Sequence, residues 1–359
     1  MKIANRYIIK TLFSHTLAVL VVLLGIYTFF SFLNEVSDLG KENYDIFAIT
    51  QYILLTLPTR LYELTPVIIL LGVILGLGSL AKSSEIIVLR SSGMSIYYFV
   101  QQVLKAGLVF VTIAMITGEL LAPHLDYLAD INKSKALNKE ISSVGKHGFW
   151  LKNKNTFINA KYSLNDKLKV VSIFNIKDYK YISEITNTPE INFDEKKWTL
   201  KQPNQWTIQK KKTKFSIKKR QQQQLTLNMS INKNTLNVIN KTPKNLSLWS
   251  LYKHISFLKE NHIDASVHQV EFYKRLLMPL VLFVMLLLAI PFVFGSLRDD
   301  SLGKKIFLGV VISLVFQLFN QLSSQSALFY GYSPFLGSIT PVFIIATFAF
   351  YLLQKIAKQ

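Results

Sequence analysis

The six histidines of the chain are the first residues to weigh for catalysis or metal binding, because imidazole serves both roles. They are His15, His124, His147, His254, His262 and His268. No His-Glu-x-x-His motif or paired-ligand spacing occurs among them. Cysteine is absent, which excludes disulfides, thiolate metal ligands and cysteine nucleophiles. The carboxylates form no catalytic pattern either, so the sequence predicts no catalytic residue, no metal site and no enzyme.

A glycine-rich segment at residues 76–83 nearly matches a phosphate-binding P-loop, with Ala81 in place of the second glycine. A P-loop needs a strand before its glycines and a helix after them. Here the glycines close a long apolar run, so this chain is not predicted to bind ATP itself. Gly72 and Gly76 instead form a Gly-x3-Gly pair, which lets a second membrane helix approach closely. We therefore predict a helix-packing role for the pair.

Six long apolar runs must position any site in this chain, half of whose residues are hydrophobic. Each run is long enough to cross a bilayer, which needs about 20 mostly apolar residues. The first run carries no cleavage site and is expected to remain as an anchor. Glu63 and Pro66 are expected to interrupt the second run near its start. The predicted spans are residues 12–33, 61–81, 96–121, 276–296, 306–328 and 335–353.

The short loops differ in lysine and arginine content, which sets the orientation of a membrane protein. Basic residues precede span one, lie between spans two and three and between spans four and five, and end the chain. The loop after span one is acidic, and the loop between spans five and six is uncharged. Both termini are therefore predicted to face the cytoplasm, and the long segment between spans three and four is predicted to face outward.

This long segment is strongly basic, with 28 Lys and Arg against 12 Asp and Glu over residues 122–275. It accounts for +16 of the net charge of +20. Such a surface attracts phosphate-rich partners of any kind. Because the segment is predicted to face outward, an anionic lipid or glycolipid is favoured as its partner, and no nucleic acid is expected.

Within the same segment, apolar residues recur at a period of two between turn residues, which predicts an antiparallel sandwich or barrel. The apolar pairs are Phe149/Leu151, Val171/Ile173, Ile191/Phe193, Trp198/Leu200, Trp206/Ile208, Phe215/Ile217 and Leu225/Leu227. From residue 247 to 261 the period becomes helical. Leu248, Leu251, Ile255 and Leu258 then share one face, and this helix is predicted to return the chain to span four.

Residues 83–93, between spans two and three on the predicted cytoplasmic side, form a short amphipathic helix that ends at Gly93. One interpretation is a solvated connector with an interfacial apolar face. The other is a coupling helix that docks into a soluble ATPase, with Glu85 offering its charge to an arginine or lysine there. The residues alone leave both interpretations open.

Several ordered motifs carry a resemblance to a known family. They are Arg6-Tyr-Ile-x-Lys10, Leu71-Gly-x3-Gly-Leu-Gly78, Ser84-Glu-x3-Leu-Arg-Ser-Ser-Gly93, Leu276-x2-Pro279, Phe292-x-Phe-Gly-Ser-Leu-Arg298, Asn320-Gln321 and Tyr330-Gly-x-Ser-Pro334. Through them the chain resembles the lipopolysaccharide export permeases of the LptF/LptG (YjgP/YjgQ) family, most closely the LptG branch. The likeness covers nearly the whole chain and is weakest in the β segment.

The resemblance implies a multi-pass protein of the bacterial inner membrane with an inserted periplasmic all-β, jellyroll-like domain. Residues 1–125 would hold helices one to three with the cytoplasmic coupling helix at about residues 83–93. Residues 126–265 would form the jellyroll-like domain, and residues 266–359 would hold helices four to six.

The resemblance also implies an ABC-type transporter that extracts lipopolysaccharide from the outer leaflet and passes it to a periplasmic bridge. In this family the permease pairs with a homologous LptF-type subunit and binds a cytoplasmic LptB-type ATPase dimer, which holds ATP and Mg. A membrane-anchored LptC-type protein begins the bridge. This chain would bind no cofactor of its own.

The resemblance assigns roles to individual residues. Glu85, with Arg90 and Gly93, falls on the coupling helix. Lys133 and Lys135 fall at the outer edge of the cavity, where they would contact lipid phosphates. The residues expected to line or gate the cavity are Phe29, Phe32, Phe316, Phe319 and Asn320. The family places lysines at the outer end of span one, whereas this chain has Lys41 nearby, so we hypothesise that Lys41 compensates.

Three alternatives remain at the level of sequence. The chain could be the sister permease of the same heterodimer, because the two permeases share their topology. It could be a membrane scaffold or receptor with a periplasmic binding domain and no transport function. A secondary transporter is weakened by the lack of charged pairs or broken helices at mid-membrane.

Overall fold

The computed structural model describes most of the chain. The described residues are 2–91, 93, 96–138, 149–153, 155–164, 167–177, 181–194, 197–211, 214–228, 243–260, 264–294 and 301–357. Of the residues singled out above, His147, His262 and Arg298 lie outside these ranges.

The chain forms two compact units. The first comprises Met1–Leu39, Ile49–Ala129 and Gln269–Gln359, and the second comprises Gly40–Ala48 and Asp130–His268. The short loop after the first helix therefore belongs to the same unit as the β structure.

Long apolar helices make up the first unit. The helices of the described residues are α1 (Lys2–Val36), α2 (Ile46–Lys82), α3 (Glu85–Ser91), α4 (Ile96–Ile116), a π-helical turn (Thr117–Leu121), α5 (Ala122–Ala136), α6 (Leu248–Glu260), α7 (Ser266–Ala289), α8 (Pro291–Phe294), α9 (Leu302–Tyr330) and α10 (Pro334–Ala357). Among them, six stretches are long and apolar enough to cross a membrane: Asn5–Val36, Ile46–Lys82, Tyr98–Ala136, Ser266–Val293, Gly303–Tyr330 and Pro334–Lys355. The six predicted spans are thus confirmed.

The second span differs from its prediction. Helix α2 begins at Ile46 and runs through Pro66 without a break, so Glu63 and Pro66 interrupt the apolar run but not the helix. Arg60 donates to Glu63 at 2.7 Å one turn away, and each charge therefore offsets the other on the helix surface. At the start, the carboxylate of Asp45 accepts a 2.8 Å hydrogen bond from the backbone N–H of Ala48 and caps the helix.

The third span also extends further than predicted. Helix α4 passes through the π-helical turn Thr117–Leu121 directly into α5, which ends at Ala136. Lys133 and Lys135, which lie beyond the predicted end of span three, are therefore in the last turn of a continuous helix.

Helices α1 and α2 approach each other closely at the predicted glycine pair. A Cβ added to Gly72 would lie 2.5 Å from Cα of Thr16, and one added to Gly76 would lie 3.2 Å from Cα of Leu12. Glycine is required at Gly72 because any side chain would displace the α1 backbone. Around this crossing lies the helical core, built chiefly from α2, α4 and α7: Ile69, Ile74, Leu77, Phe99, Val103, Leu282 and Met285.

The second unit contains an antiparallel sheet. Its described strands are β1 (Phe149–Asn153), β2 (Thr156–Leu164), β3 (Lys167–Lys177), β4 (Tyr181–Asp194), β5 (Lys197–Lys201), β6 (Asn204–Lys211), β7 (Lys214–Gln221) and β8 (Gln224–Asn228). They pair in the order β1-β2-β3-β4-β5-β8, while β6 pairs with the first half of β4 and with β7. The predicted antiparallel β region is confirmed, and all seven apolar pairs lie on strands.

Strand β2 is the one the sequence pattern did not predict. Ile158 and Ala160 are fully buried in the sheet core, but Phe157 on the opposite face is also half-buried. Both faces of β2 thus carry apolar residues, and the period-two signal disappears. The core that β2 joins contains Leu168, Val171, Ile173, Ile191, Trp198 and Leu200.

Candidate coupling and lipid-contact sites

The predicted coupling segment is helical from its first acidic residue. Helix α3 begins at Glu85, directly after Ser84, whose φ of 61° turns the chain out of α2. The Ser83 hydroxyl donates a 2.8 Å hydrogen bond to Glu85 Oε1. The phenol of Tyr7 on α1 lies close to this carboxylate. Glu85 is therefore held at the junction of α1, α2 and α3.

The apolar residues Ile86, Ile87 and Val88 of α3 differ in burial. Ile86 is 6% exposed and joins the helical core, whereas Ile87 and Val88 are 49% and 65% exposed. The helix ends in a turn at Gly93, whose φ of 92° favours glycine. Arg90 lies on the helix, but its side chain is outside the described part of the structure. Helix α3 thus presents two adjoining apolar side chains and a fixed carboxylate.

The three predicted lipid-contact lysines belong to one unit and lie on two segments of it. Tyr44, in the loop after α1, is buried, and the Nζ of Lys133 lies 5.7 Å from its ring centroid. The backbone N–H of Asn43 donates to the carbonyl of Ala136 at 3.0 Å, which fastens the loop to the end of α5. The backbone of Tyr44 in turn donates to the carbonyl of Lys41 at 2.9 Å.

These contacts bring the loop that carries Lys41 against the helix turn that carries Lys133 and Lys135. Lys41 and Lys135 are exposed and Lys133 is half-buried. The arrangement therefore concentrates ammonium groups at one corner of the second unit, where they can bind phosphate.

The predicted cavity-lining residues fall into two groups. Phe29 and Phe32 line an almost wholly apolar pocket of about 370 Å³ between α1 and α2, with Gly25, Thr28, Thr50, Ile53 and Leu54. On α9, Phe316 is buried in the helical core, while Phe319 is exposed and Asn320 is half-buried. The structure thus brings Phe29 and Phe32 together but gives Phe316 a packing role within this chain.

A buried charge cluster was missed by the sequence reasoning. Arg275 on α7 is 5% exposed and donates to Glu271 at 3.3 Å and to Glu119 at 3.4 Å. It also donates at 3.1 Å to the carbonyl of Gly118 in the π-helical turn. Its guanidinium carbon lies 5.8 Å from the ring centroid of Tyr62 on α2. One cation thereby joins α2, the π-helical turn and α7.

A signal for this cluster was present in the sequence. Glu119 lies near the predicted outer end of span three. Arg275 directly precedes span four, which is predicted to begin at the outer side of the membrane. Two opposite charges at the same predicted depth on neighbouring helices form a natural pair. In the structure, Glu119 and Arg275 lie well inside the candidate spans Tyr98–Ala136 and Ser266–Val293.

Two histidines of the second unit also lie together. The ring centroids of His254 on α6 and His268 on α7 are 4.6 Å apart. Burial, helped by the neighbouring His268, lowers the pKa of His254 to about 4. Hydrogen bonds from the Ser266 side chain and backbone lower the pKa of Asp264 in the loop between these helices. Within the described ranges, no group of three potential metal ligands is found.

Comparison with known proteins identifies relatives of this chain. The family model for the lipopolysaccharide export system permease LptF/LptG matches residues 6–355. The lipopolysaccharide export system permease protein LptG of Haemophilus influenzae is 29% identical over 354 residues, with 98% of each chain covered. The protein of the same name from Escherichia coli K12 is 27% identical over 356 residues, again with 98% of each chain covered. These matches include both units and all six long helices.

Proposed function

Because the chain belongs to the LptF/LptG family of lipopolysaccharide export permeases, we propose that it is the LptG-type permease subunit of an ABC-type exporter. It extracts lipopolysaccharide from the outer leaflet of the inner membrane and passes it to a periplasmic bridge. The observation that carries this proposal is the match to LptG relatives over 98% of the chain. The six candidate spans and the inserted sheet agree with such a subunit.

The energy for extraction comes from a separate ATPase. Substrate has to bind the open state of a cavity better than the closed state, so its release requires an input of free energy. We assign that input to a cytoplasmic ATPase dimer of the LptB type, which holds ATP and Mg. Helix α3 receives the motion through the exposed Ile87 and Val88 and the fixed carboxylate of Glu85. A homologous LptF-type permease completes the transmembrane cavity.

The lipid path combines apolar and cationic contacts. The pocket beside Phe29 and Phe32 has the apolar lining that acyl chains require. The ammonium groups of Lys41, Lys133 and Lys135 supply charge for the phosphates of the lipid. This assignment agrees with an orientation in which both termini face the cytoplasm and the β unit is periplasmic, where an LptC-type protein receives the substrate.

Co-purification tests the function directly. The chain is expressed with its partner genes in a strain whose own permease is depleted, and the membrane complex is isolated through a tag on this subunit. An ATPase is expected to co-purify with it, and export of lipopolysaccharide is expected to resume. Glu85→Arg is expected to abolish both, whereas Glu260→Arg, the same change at an exposed carboxylate of α6, is expected to preserve them.

Two outcomes would reject the proposal. A subunit that isolates alone and stably, without an ATPase and without restoring export, would be a scaffold. Intrinsic ATP hydrolysis by the isolated chain would contradict the assignment of ATP to a partner.

A further inference from the structure

Helix α6 has two dissimilar faces. One face packs into the second unit through the buried side chains of Leu251, His254, Ile255 and Leu258. The opposite face carries Trp249 and Tyr252, which are 65% and 55% exposed, together with the exposed Lys253. Since residues three and four apart share one side of a helix, these three side chains form a continuous patch. We call them the aromatic-cationic patch.

The patch is ordered before any ligand arrives. The rings of Trp249 and Tyr252 stack with their centroids 6.0 Å apart and an interplanar angle of 17°. The Nζ of Lys253 lies 4.9 Å from the Trp249 ring centroid, within the range of a cation–π contact. A single exposed aromatic residue is ordinary on a protein surface. Two stacked rings capped by an ammonium group form an amphipathic surface with a preset geometry.

Both ends of α6 are linked to candidate membrane spans. At its start, Asn245 Nδ2 donates a 2.8 Å hydrogen bond to Asp130 Oδ2 on α5, which continues the third span. Asp130 lies within the third candidate span, six residues before its last residue Ala136. At its end, five residues separate Glu260 from Ser266, where the fourth span begins. Even a fully extended connection of this length reaches only about 20 Å.

From these observations we propose that the aromatic-cationic patch binds the headgroup layer of the outer leaflet, with anionic phospholipids as its ligands. Tryptophan and tyrosine concentrate at membrane–water interfaces because their rings are apolar and their N–H and O–H groups remain hydrated. The ammonium group of Lys253 supplies the attraction to lipid phosphates. Helix α6 is then a peripheral anchor by which the second unit contacts the bilayer surface.

The charge of the patch supports this ligand. Of the lysine and glutamate residues on α6, Lys253 lies beside the two rings, while Lys259 and Glu260 lie together at the end of the helix. No acidic side chain among the described residues of α6 adjoins the patch. A surface with stacked rings and an ammonium group fits an anionic lipid layer and repels a cationic partner.

Tryptophan quenching in a membrane tests the proposal. The full chain is reconstituted with its transporter partners in nanodiscs of phosphatidylcholine and phosphatidylglycerol, without lipopolysaccharide and with nitroxide-labelled headgroups. Trp249→Phe is expected to remove most of the headgroup-dependent quenching. Trp206→Phe, at a half-exposed tryptophan of β6, is expected to remove little of it. Lys253→Gln is expected to lower the ratio of docked to undocked helix about fivefold, the effect of one lysine near an anionic surface.

The alternatives give distinct results. Quenching of Trp249 by aqueous iodide but not by lipid nitroxides would show that the patch faces solvent, and the proposal would fail. Quenching by lipid nitroxides that appears only after lipopolysaccharide is added would identify a substrate contact, and the membrane anchor would again be wrong. Because the chain has no cysteine, a nitroxide attached at Ser256→Cys on the same face gives an independent depth measurement. A depth in the aqueous phase there would also overturn the proposal.

Discussion

Arg275 donates a hydrogen bond of 3.1 Å to the backbone carbonyl of Gly118, a residue 157 positions earlier in the chain. That carbonyl lies in a π-helical turn, where the regular i→i−4 pattern is broken. A Cβ on Gly118 would lie 2.3 Å from the Tyr62 ring, so this position has no room for a side chain. The π-helical turn, Gly118 and Arg275 therefore stabilise one another.

Removing the Arg275 charge should destabilise the helical unit. Arg275→Met takes away the cation that faces Glu119 and Glu271, and losing one partner of a buried pair costs about 3–5 kcal/mol. We expect a marked fall in the thermal unfolding temperature of the purified chain. Lys355→Met, the same kind of change at an exposed lysine near the end of α10, should have a small effect. Adding Glu119→Gln to Arg275→Met should recover part of the loss, and equal losses for the Arg275 and Lys355 variants would contradict this account.

Enlarging Gly72 should separate α1 from α2. The new methyl group of Gly72→Ala would lie 2.5 Å from Cα of Thr16, so backbone has to move. Overpacking of this kind costs about 1–3 kcal/mol. Gly25→Ala is the matched control, because a Cβ there meets no atom within 4 Å. Thermal unfolding should show a loss for Gly72→Ala alone, and an equal loss for both variants would argue against a close helix crossing.

The sequence could predict the long helices and the alternating strands because each has a regular apolar period. It could not predict β2, since Phe157 and Ile158 put apolar side chains on both faces of that strand. The Arg275 cluster was missed for a different reason. Its members lie on α2, on α7 and in a π-helical turn, and in the sequence only their equal predicted depth in the membrane links Glu119 to Arg275. The aromatic-cationic patch on α6 was likewise not predicted, because the apolar period of this helix identifies only its buried face.

The two exposed residues of α3 should matter for ATPase binding and not for folding. Val88→Asp places a charge on a side chain that is 65% exposed. It should therefore lower the amount of co-purified ATPase about tenfold, as expected for an anchoring side chain of an interface. Ile86→Asp should instead reduce the yield of folded chain, because Ile86 is buried in the helical core. Normal recovery of the ATPase with Val88→Asp would show that α3 is not part of the coupling interface.

Lipid contact at the lysine corner should depend on Lys41 and Lys133 together. Lys133→Ala removes the ammonium group that lies over Tyr44, and Lys41→Ala removes the exposed one on the adjoining loop. Each change is expected to lower photo-crosslinking to lipopolysaccharide and its export, and the double variant is expected to lower both further. Lys177→Ala, an exposed lysine at the end of β3, is the control. Intact crosslinking and export with Lys41→Ala would discard the hypothesis that Lys41 compensates for the lysines of the family.

The buried His254 should make the second unit sensitive to acid. Burial and the neighbouring His268 lower the pKa of His254 from 6.5 to about 4 in the folded chain. Phe257 stacks on the same ring, and Asp264 lies near His268. Between these two pH values the unfolded chain holds a proton at this position and the folded chain does not. The contribution is therefore complete above pH 6.5 and is lost as the pH falls toward 4.

A depression of this size corresponds to a loss of roughly 3 kcal/mol across that window, at about 1.4 kcal/mol for each pKa unit. His254→Phe keeps an aromatic ring beside Phe257 and removes the titrating group, so it should flatten the pH dependence of unfolding between pH 7 and 4.5. His124→Phe, at an exposed histidine, should leave the dependence unchanged. The measurement is the unfolding temperature of the full chain in nanodiscs, followed by tryptophan fluorescence, to which Trp198 in the sheet core contributes. If the wild-type chain and His254→Phe lost stability in parallel on acidification, other groups would have to account for the sensitivity, because His254 would then take up no proton on unfolding.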